Sequence, residues 1–95
     1  MIWRDNMKAV ITVTGKDKSG IVAIVSQKCA EYGANISEIS QNIIDGYFVM
    51  IMLADISKLT IDFSDFVDAL ESVGKEANLI IHTMHEKIFD TMHTI

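Results

Sequence analysis

Apolar and polar positions alternate along the first part of the chain, and this alternation predicts a β-strand over residues 8–14. The predicted inward face of this strand carries Ala9, Ile11 and Val13. The period then changes to that of an amphipathic helix, with apolar positions at Ile21, Ile24, Val25, Cys29 and Tyr32. Gly33 follows the last of these positions and predicts the end of the helix.

A polar strand and an apolar strand follow, joined by a tight turn. Residues 35–44 alternate isoleucines with polar side chains, a pattern typical of an edge strand or of a strand that faces a partner. Asp45-Gly46 is a two-residue hairpin signal, so residues 47–54 are predicted to pair antiparallel with the preceding strand. This third strand is apolar on both faces. We therefore expect helices on one face and a second subunit on the other.

The rest of the chain predicts one more helix and one more strand. Phe63, Phe66, Val67, Leu70 and Val73 predict a helix over residues 62–73, capped by Thr60 or Asp62 and ended by Gly74. Residues 78–85 form the fourth predicted strand. The order βαββαβ predicts an α+β, ferredoxin-like fold, in which a four-stranded antiparallel sheet carries two helices on one face.

The two ends of the chain add a leader and a short helix to this prediction. We expect residues 1–7 to be a leader, with Met1 and Met7 both candidate start residues, and residues 8–95 to be a single domain. Within it, residues 86–95 carry Ile88, Phe89, Met92 and Ile95 along one helical stripe. Because so short a helix is unstable alone in water, we expect it to dock on the sheet or on a neighbouring subunit.

Composition excludes several classes of function. The 95 residues carry a net charge of −5 and no proline, and Arg4 is the only arginine, which argues against a nucleic-acid partner. The longest apolar run, residues 47–54, is too short to span a bilayer, and no signal-peptide pattern opens the chain. We therefore expect a cytoplasmic protein without a membrane partner. The single cysteine, Cys29, lies on the apolar side of its helix and is predicted to be buried.

No constellation of catalytic or metal-binding residues stands out. His82 and His85 are three residues apart on a predicted strand and so point to opposite faces, which is poor geometry for a shared metal. No Ser/His/Asp or Cys/His set is evident. We expect no metal site, no cofactor and no enzymatic activity.

The loop over residues 15–20 is the main candidate for ligand binding. Asp17 and Ser19 are of turn and N-cap type, and the helix that follows directs its free N–H groups toward the loop. Such a helix end favours an anionic group. A solvated strand-to-helix turn is the alternative interpretation of the same residues.

Two short motifs resemble those of a known family. Asp17-Lys18-Ser19-Gly20-Ile21, followed after the helix by Gly33-Ala34-Asn35-Ile36, is similar to the signature of ACT domains, the small-molecule-sensing modules of amino-acid metabolism. The whole layout resembles stand-alone bacterial ACT proteins and the glycine-cleavage repressor group. The resemblance implies an amino acid bound at a subunit interface, between the first loop and the start of the second strand. The residues it implicates are Asp17, Ser19, Gly20, Ile21 and Asn35.

Two positions depart from the family pattern. Ser19 replaces the usual proline, and Gly15 replaces the histidine of serine-sensing members, so the resemblance does not predict serine as the ligand. We interpret the chain as a homo-oligomeric protein that binds an amino acid and reports its level to an unidentified regulated protein. The alternative is a structural interaction module in which the loop binds nothing and the interface is the apolar sheet face together with the C-terminal helix.

Overall fold

The computed structural model describes residues 7–16 and 20–87. The elements within these residues are β1 (Lys8–Gly15), α1 (Ile21–Glu31), β2 (Asn35–Ile44), β3 (Tyr47–Asp55), α2 (Phe63–Ala77) and β4 (Ile80–His85). The strands form one antiparallel sheet in the order β2-β3-β1-β4. Both helices lie on one face of this sheet, which confirms the predicted ferredoxin-like arrangement.

The core lies between the helices and the centre of the sheet. β1 and β3 are paired along their length, from Lys8↔Asp55 to Gly15↔Phe48. Fully buried side chains come from both layers: Ala9, Ile11, Val13, Met50 and Met52 from the strands, and Val25, Cys29, Phe66 and Leu70 from the helices. No polar or charged side chain of the described residues is buried, so apolar burial is the main stabilising term of this core.

The hairpin between β2 and β3 forms as predicted. Asp45 and Gly46 have φ values of 52° and 82°, and positive φ at both central positions is the signature of a type I′ turn. The turn places Ile44 opposite Tyr47. It also leaves β2 at the edge of the sheet, since β3 is its only neighbour among the described strands.

The second helix does not end at Gly74, and that prediction was wrong. α2 continues to Ala77 and ends at Asn78, which adopts the left-handed conformation with φ 60°. Gly74 instead lies where β4 approaches the helix, because a Cβ at this position would stand 2.8 Å from the carbonyl oxygen of Leu79. The backbone N–H of Leu79 donates to the Gly74 carbonyl at 2.7 Å, and β4 therefore begins at Ile80, two residues later than predicted.

Ile24 also differs from its predicted place in the core. Its side chain is 41% exposed, whereas Ile21, Val25 and Cys29 are buried. Residues spaced by four lie on one side of a helix, so these three face the sheet. Ile24 lies to the side of that stripe, in a groove between α1 and α2 that Val73 also lines.

Parts of the two predicted terminal segments lie outside the described residues. These are residues 1–6 of the leader and residues 88–95, which carry the stripe of Ile88, Phe89, Met92 and Ile95. Met7 is described: it packs against the core, and its carbonyl oxygen accepts a hydrogen bond from the backbone N–H of Ile56 at 3.0 Å.

The close approach at Gly74 predicts the effect of a single added methyl group. Alanine has the higher helix propensity by about 1 kcal/mol, but overpacking against a backbone oxygen costs about 1 to 3 kcal/mol. We expect Gly74→Ala to lower the free energy of unfolding in urea titrations. Ser72→Ala, at an exposed position of the same helix, is the matched control and should change stability little. A Gly74→Ala protein as stable as the parent would contradict this account of the α2–β4 contact.

Candidate functional site

The N-terminus of α1 presents backbone donors at one end of the sheet. Gly20 occupies the N-cap position in the left-handed conformation, φ 70°, with no side-chain hydrogen bond to cap the helix. The first helical hydrogen bond runs from the N–H of Ile24 to the carbonyl of Gly20 at 3.0 Å. The amides of Ile21, Val22 and Ala23 therefore precede the helical ladder, and no described side chain accepts a hydrogen bond from them.

Two of the predicted site residues precede this helix end. Asp17 and Ser19 lie outside the described residues, so their contribution stays a prediction. Gly20 is exposed, and the side chain of Ile21 is buried in the core at 2% exposure, which fixes the direction of its amide. At this helix end, an exposed Gly20 is therefore followed by a residue whose side chain is held in the core.

Asn35 lies at the opposite end of the sheet. It is the first residue of β2 and pairs with Asp55, whereas the first loop leaves β1 after Gly15, which pairs with Phe48 at the other end of β3. The 11 residues of α1 span about 16 Å between these ends. One chain therefore brings Gly20 and Ile21 together but does not bring Asn35 to them.

The distance between Gly20 and Asn35 determines whether one chain can form a ligand site from both residues. The main-chain atoms of one amino acid span about 3.6 Å at most, far less than the length of α1, so the α-carboxylate and α-ammonium of one ligand cannot contact both Gly20 and Asn35 of one chain. A site that uses both residues must combine the helix end of one chain with Asn35 of another.

The surroundings of Asn35 include an acidic residue that sequence analysis missed. Asp55 Oδ1 accepts hydrogen bonds from the hydroxyl of Ser57 at 2.7 Å and from its backbone N–H at 2.8 Å. These bonds, first the hydroxyl and then the amide, hold the pKa of Asp55 below its usual value. Lys8 lies opposite Asp55 on the neighbouring strand, and its positive charge also lowers the pKa of the Asp55 carboxyl. The Asp-x-Ser spacing was the sequence signal for this turn.

Large apolar side chains are exposed on two further surfaces. On β2, Ile39, Ile43 and Ile44 are 40%, 54% and 56% exposed. The second surface is the outer face, defined as the side of the sheet that the helices leave uncovered. Its exposed apolar residues are Tyr47 and Ile51 of β3, Ile80 of β4 and, opposite Tyr47, Ile44 of β2. Such exposed apolar surfaces indicate contacts with a partner or a ligand.

The described residues contain no group of three or more His, Cys, Asp or Glu side chains placed to hold a metal ion. His82 and His85 pair with Thr12 and Ala9, on opposite faces of the sheet, as the sequence predicted. Cys29 is fully buried, and burial raises the pKa of its thiol to about 11. The thiol is therefore protonated at neutral pH, which makes it a core side chain and not a nucleophile.

Neither described helix combines the length and the apolar character needed to cross a membrane.

Comparison with known proteins connects this geometry with a family. A family model described as the ACT domain matches residues 8–84. A UPF0237 protein of Listeria innocua is 48% identical over 89 residues, which are 94% of this chain and all of that protein. The solved structure of an ACT domain protein from Streptococcus pneumoniae is 46% identical with a TM-score of 0.79, over 88% of this chain and 94% of that one.

A more distant structure shares the fold alone. It is a putative glycine cleavage system transcriptional repressor, 24% identical with a TM-score of 0.66, and the match covers 83% of this chain and 45% of that one.

Proposed function

Since this chain belongs to the ACT domain family, we propose that it is a regulatory protein that binds an amino acid and reports the level of that amino acid to a partner protein. The observation that carries the proposal is the N-terminus of α1, where Gly20 is the N-cap residue and no described side chain caps the first backbone amides. A helix N-terminus attracts an anionic group, and an amino acid supplies one as its α-carboxylate.

The remaining polar groups of an amino acid have matching partners. The α-carboxylate accepts from the amides of Ile21 and Val22, and Asp17 accepts from the α-ammonium. The Asn35 side chain, with one acceptor oxygen and two donor hydrogens, contacts the rest of the ligand. Because Asn35 is about 16 Å from the helix end of its own chain, this residue comes from a second copy.

We propose that the second copy joins at the free edge of β2. Antiparallel pairing of β2 with its own copy reverses the strand direction, so Asn35 of each chain approaches the end of the partner where the first loop lies. This is an isologous two-fold contact, the commonest symmetry of homodimers.

The character of β2 supports an edge-to-edge contact. Nine of its ten residues are exposed, including three isoleucines. The strand has no proline, and Glu38 is its one charged residue, so it carries few of the features that keep edge strands from pairing. A β-bulge between Ile36 and Glu38 interrupts its register with β3 only near the Asn35 end. The remaining length is regular enough to template another strand.

Ligand screening tests the binding function directly. We expect one or a few of the twenty amino acids to raise the melting temperature of the full chain, because a ligand at about 100 times its Kd adds about 2.7 kcal/mol to stability. N-acetylated forms of the same amino acids are the matched control, since they lack the ammonium group that donates a hydrogen bond to Asp17. If the protein is oligomeric and none of the amino acids raises its melting temperature, the result favours the alternative of a structural interaction module.

The β2 contact predicts which surface substitutions dissociate the oligomer. Ile43→Lys places a charge on the β2 surface, and we expect it to raise the dimer Kd by about tenfold or more, equivalent to about 1.4 kcal/mol. Ile80→Lys introduces the same charge on β4, which lies at the other edge of the sheet, and should leave the dimer intact. Light scattering across a dilution series measures both. If Ile80→Lys dissociates the dimer and Ile43→Lys does not, the interface lies on the outer face and the β2 proposal is wrong.

Mixed dimers test whether one site combines two chains. Asp17→Ala and Asn35→Ala should each weaken binding by about 1 to 3 kcal/mol, because each removes a hydrogen-bonding partner of the ligand. In a heterodimer of the two variants, one site contains both substitutions and the other contains neither. We expect calorimetry with the amino acid found by screening to show one site of parental affinity per heterodimer.

The control is a mixture in which both subunits carry both substitutions, and it should not regain binding. Loss of all tight binding in the heterodimer would place both residues in one chain's site and contradict the two-chain proposal. Parental affinity in both single-variant homodimers would place the ligand elsewhere.

A further inference from the structure

We propose that each chain holds a second ligand site, at the end of the sheet where β1 finishes and β4 begins, for a monoanionic carboxylate with a compact apolar body. A cleft of about 480 Å³ opens there, within the range of small-molecule sites. It is lined by Thr14, Lys16, Tyr47, Ala77, Asn78 and Ile80. Neither the N-terminus of α1 nor Asn35 contributes to it.

Backbone geometry forms the walls of this cleft. Asn78 ends α2 in the left-handed conformation, and the chain then turns into β4. The turn is held by the hydrogen bond from the N–H of Leu79 to the Gly74 carbonyl. Gly15 also lines the cleft, and a Cβ on it would displace a terminal methyl group of Leu79 from its present position. The cleft is therefore largely formed before any ligand binds.

The charge of the cleft selects an anion. Among the described residues of the lining, Lys16 is the only ionised side chain and none carries a carboxylate. Within the described part of the chain its ammonium makes no ion pair, and it stands 5.9 Å from the centre of the Tyr47 ring. A carboxylate placed between the ammonium and the side-chain amide of Asn78 supplies the missing counter-charge.

The same surroundings disfavour a phosphate. No described residue of the lining is an arginine, whose forked donors match phosphate, and the helix end that lines the cleft is the C-terminus of α2. A helix C-terminus carries a partial negative charge, which opposes a dianion. The single positive charge of Lys16, reduced by the partial negative charge of this helix end, favours a ligand with one negative charge over a ligand with two.

The apolar part of the lining indicates the body of the ligand. Ile80 is the most exposed of the large hydrophobic side chains described, at 62%, and Tyr47 is 44% exposed. A ligand ring or branched chain laid between these two residues removes apolar area from water on both. The ligand class is thus an aromatic or branched aliphatic acid.

The full-length ¹⁵N-labelled protein, titrated with 3-phenylpropionate and followed by amide chemical shifts, tests this site. We expect saturable shifts at Gly15, Lys16, Tyr47, Asn78 and Ile80, with a Kd of about 1 mM or below. The uncharged analogue 3-phenylpropan-1-ol should bind about tenfold more weakly, because it lacks the charge-assisted bond to Lys16.

Lys16→Met keeps the length of the side chain and removes its charge, and it should weaken binding of the acid by about tenfold. The matched control is Lys75→Met, an exposed cation on α2 outside the cleft, which should leave the affinity unchanged. The absence of saturable shifts at the cleft amides, or equal binding of the acid and the alcohol, would overturn the proposal. So would an affinity that Lys16→Met does not change.

Gly15 and Lys16 belong both to the loop before α1 and to the cleft, so other amides distinguish the two sites: those of Tyr47, Asn78 and Ile80 report the cleft, and those of Gly20, Ile21 and Asn35 report the amino-acid site. Shifts at Gly20, Ile21 and Asn35 without shifts at Tyr47, Asn78 and Ile80 would support the proposed function and overturn the second site. Cleft shifts in a protein that binds no amino acid would support the second site alone.

Discussion

Two helices cover only one face of the four-stranded sheet, and the other features of this protein depend on that constraint. α1 and α2 bury the inward side of β1 and β3, where Ile11, Val13, Met50 and Met52 are fully buried. They leave the edge strand β2 exposed along almost its whole length, and only Ile36 of this strand packs against the core. The described elements leave these surfaces uncovered, and exposed apolar surface of this kind is typical of contact sites.

The same βαβ geometry determines where a ligand can bind. A helix that connects two strands of one sheet returns the chain to the end from which the first strand began, so the residues before and after it lie at opposite ends. Gly20 and Asn35 are separated in this way by the length of α1. A ligand site that uses both ends of the helix therefore couples binding to assembly. That coupling gives a regulatory protein a physical route from ligand concentration to oligomeric state.

Close packing at the other helix determines the shape of the opposite surface. Gly74 lets β4 approach α2, and Gly15 leaves room for Leu79 at the end of β1. These two contacts fix the turn at Asn78 and with it the cleft beneath Lys16. A side chain at position 15, where serine-sensing ACT domains carry a histidine, would displace the end of the Leu79 side chain.

The sequence by itself determined the element order, the hairpin and the family, since these depend on local periodicity and on turn residues such as Asp45-Gly46. It also identified the loop and Asn35 as candidate site residues. Tertiary structure decided the roles that depend on contacts between distant elements: that Gly74 continues a helix, that Ile24 lies in a groove, and that Gly20 and Asn35 lie far apart. The physical reason is that local sequence sets backbone preference within a few residues, whereas a neighbouring strand or helix determines which surface a side chain meets.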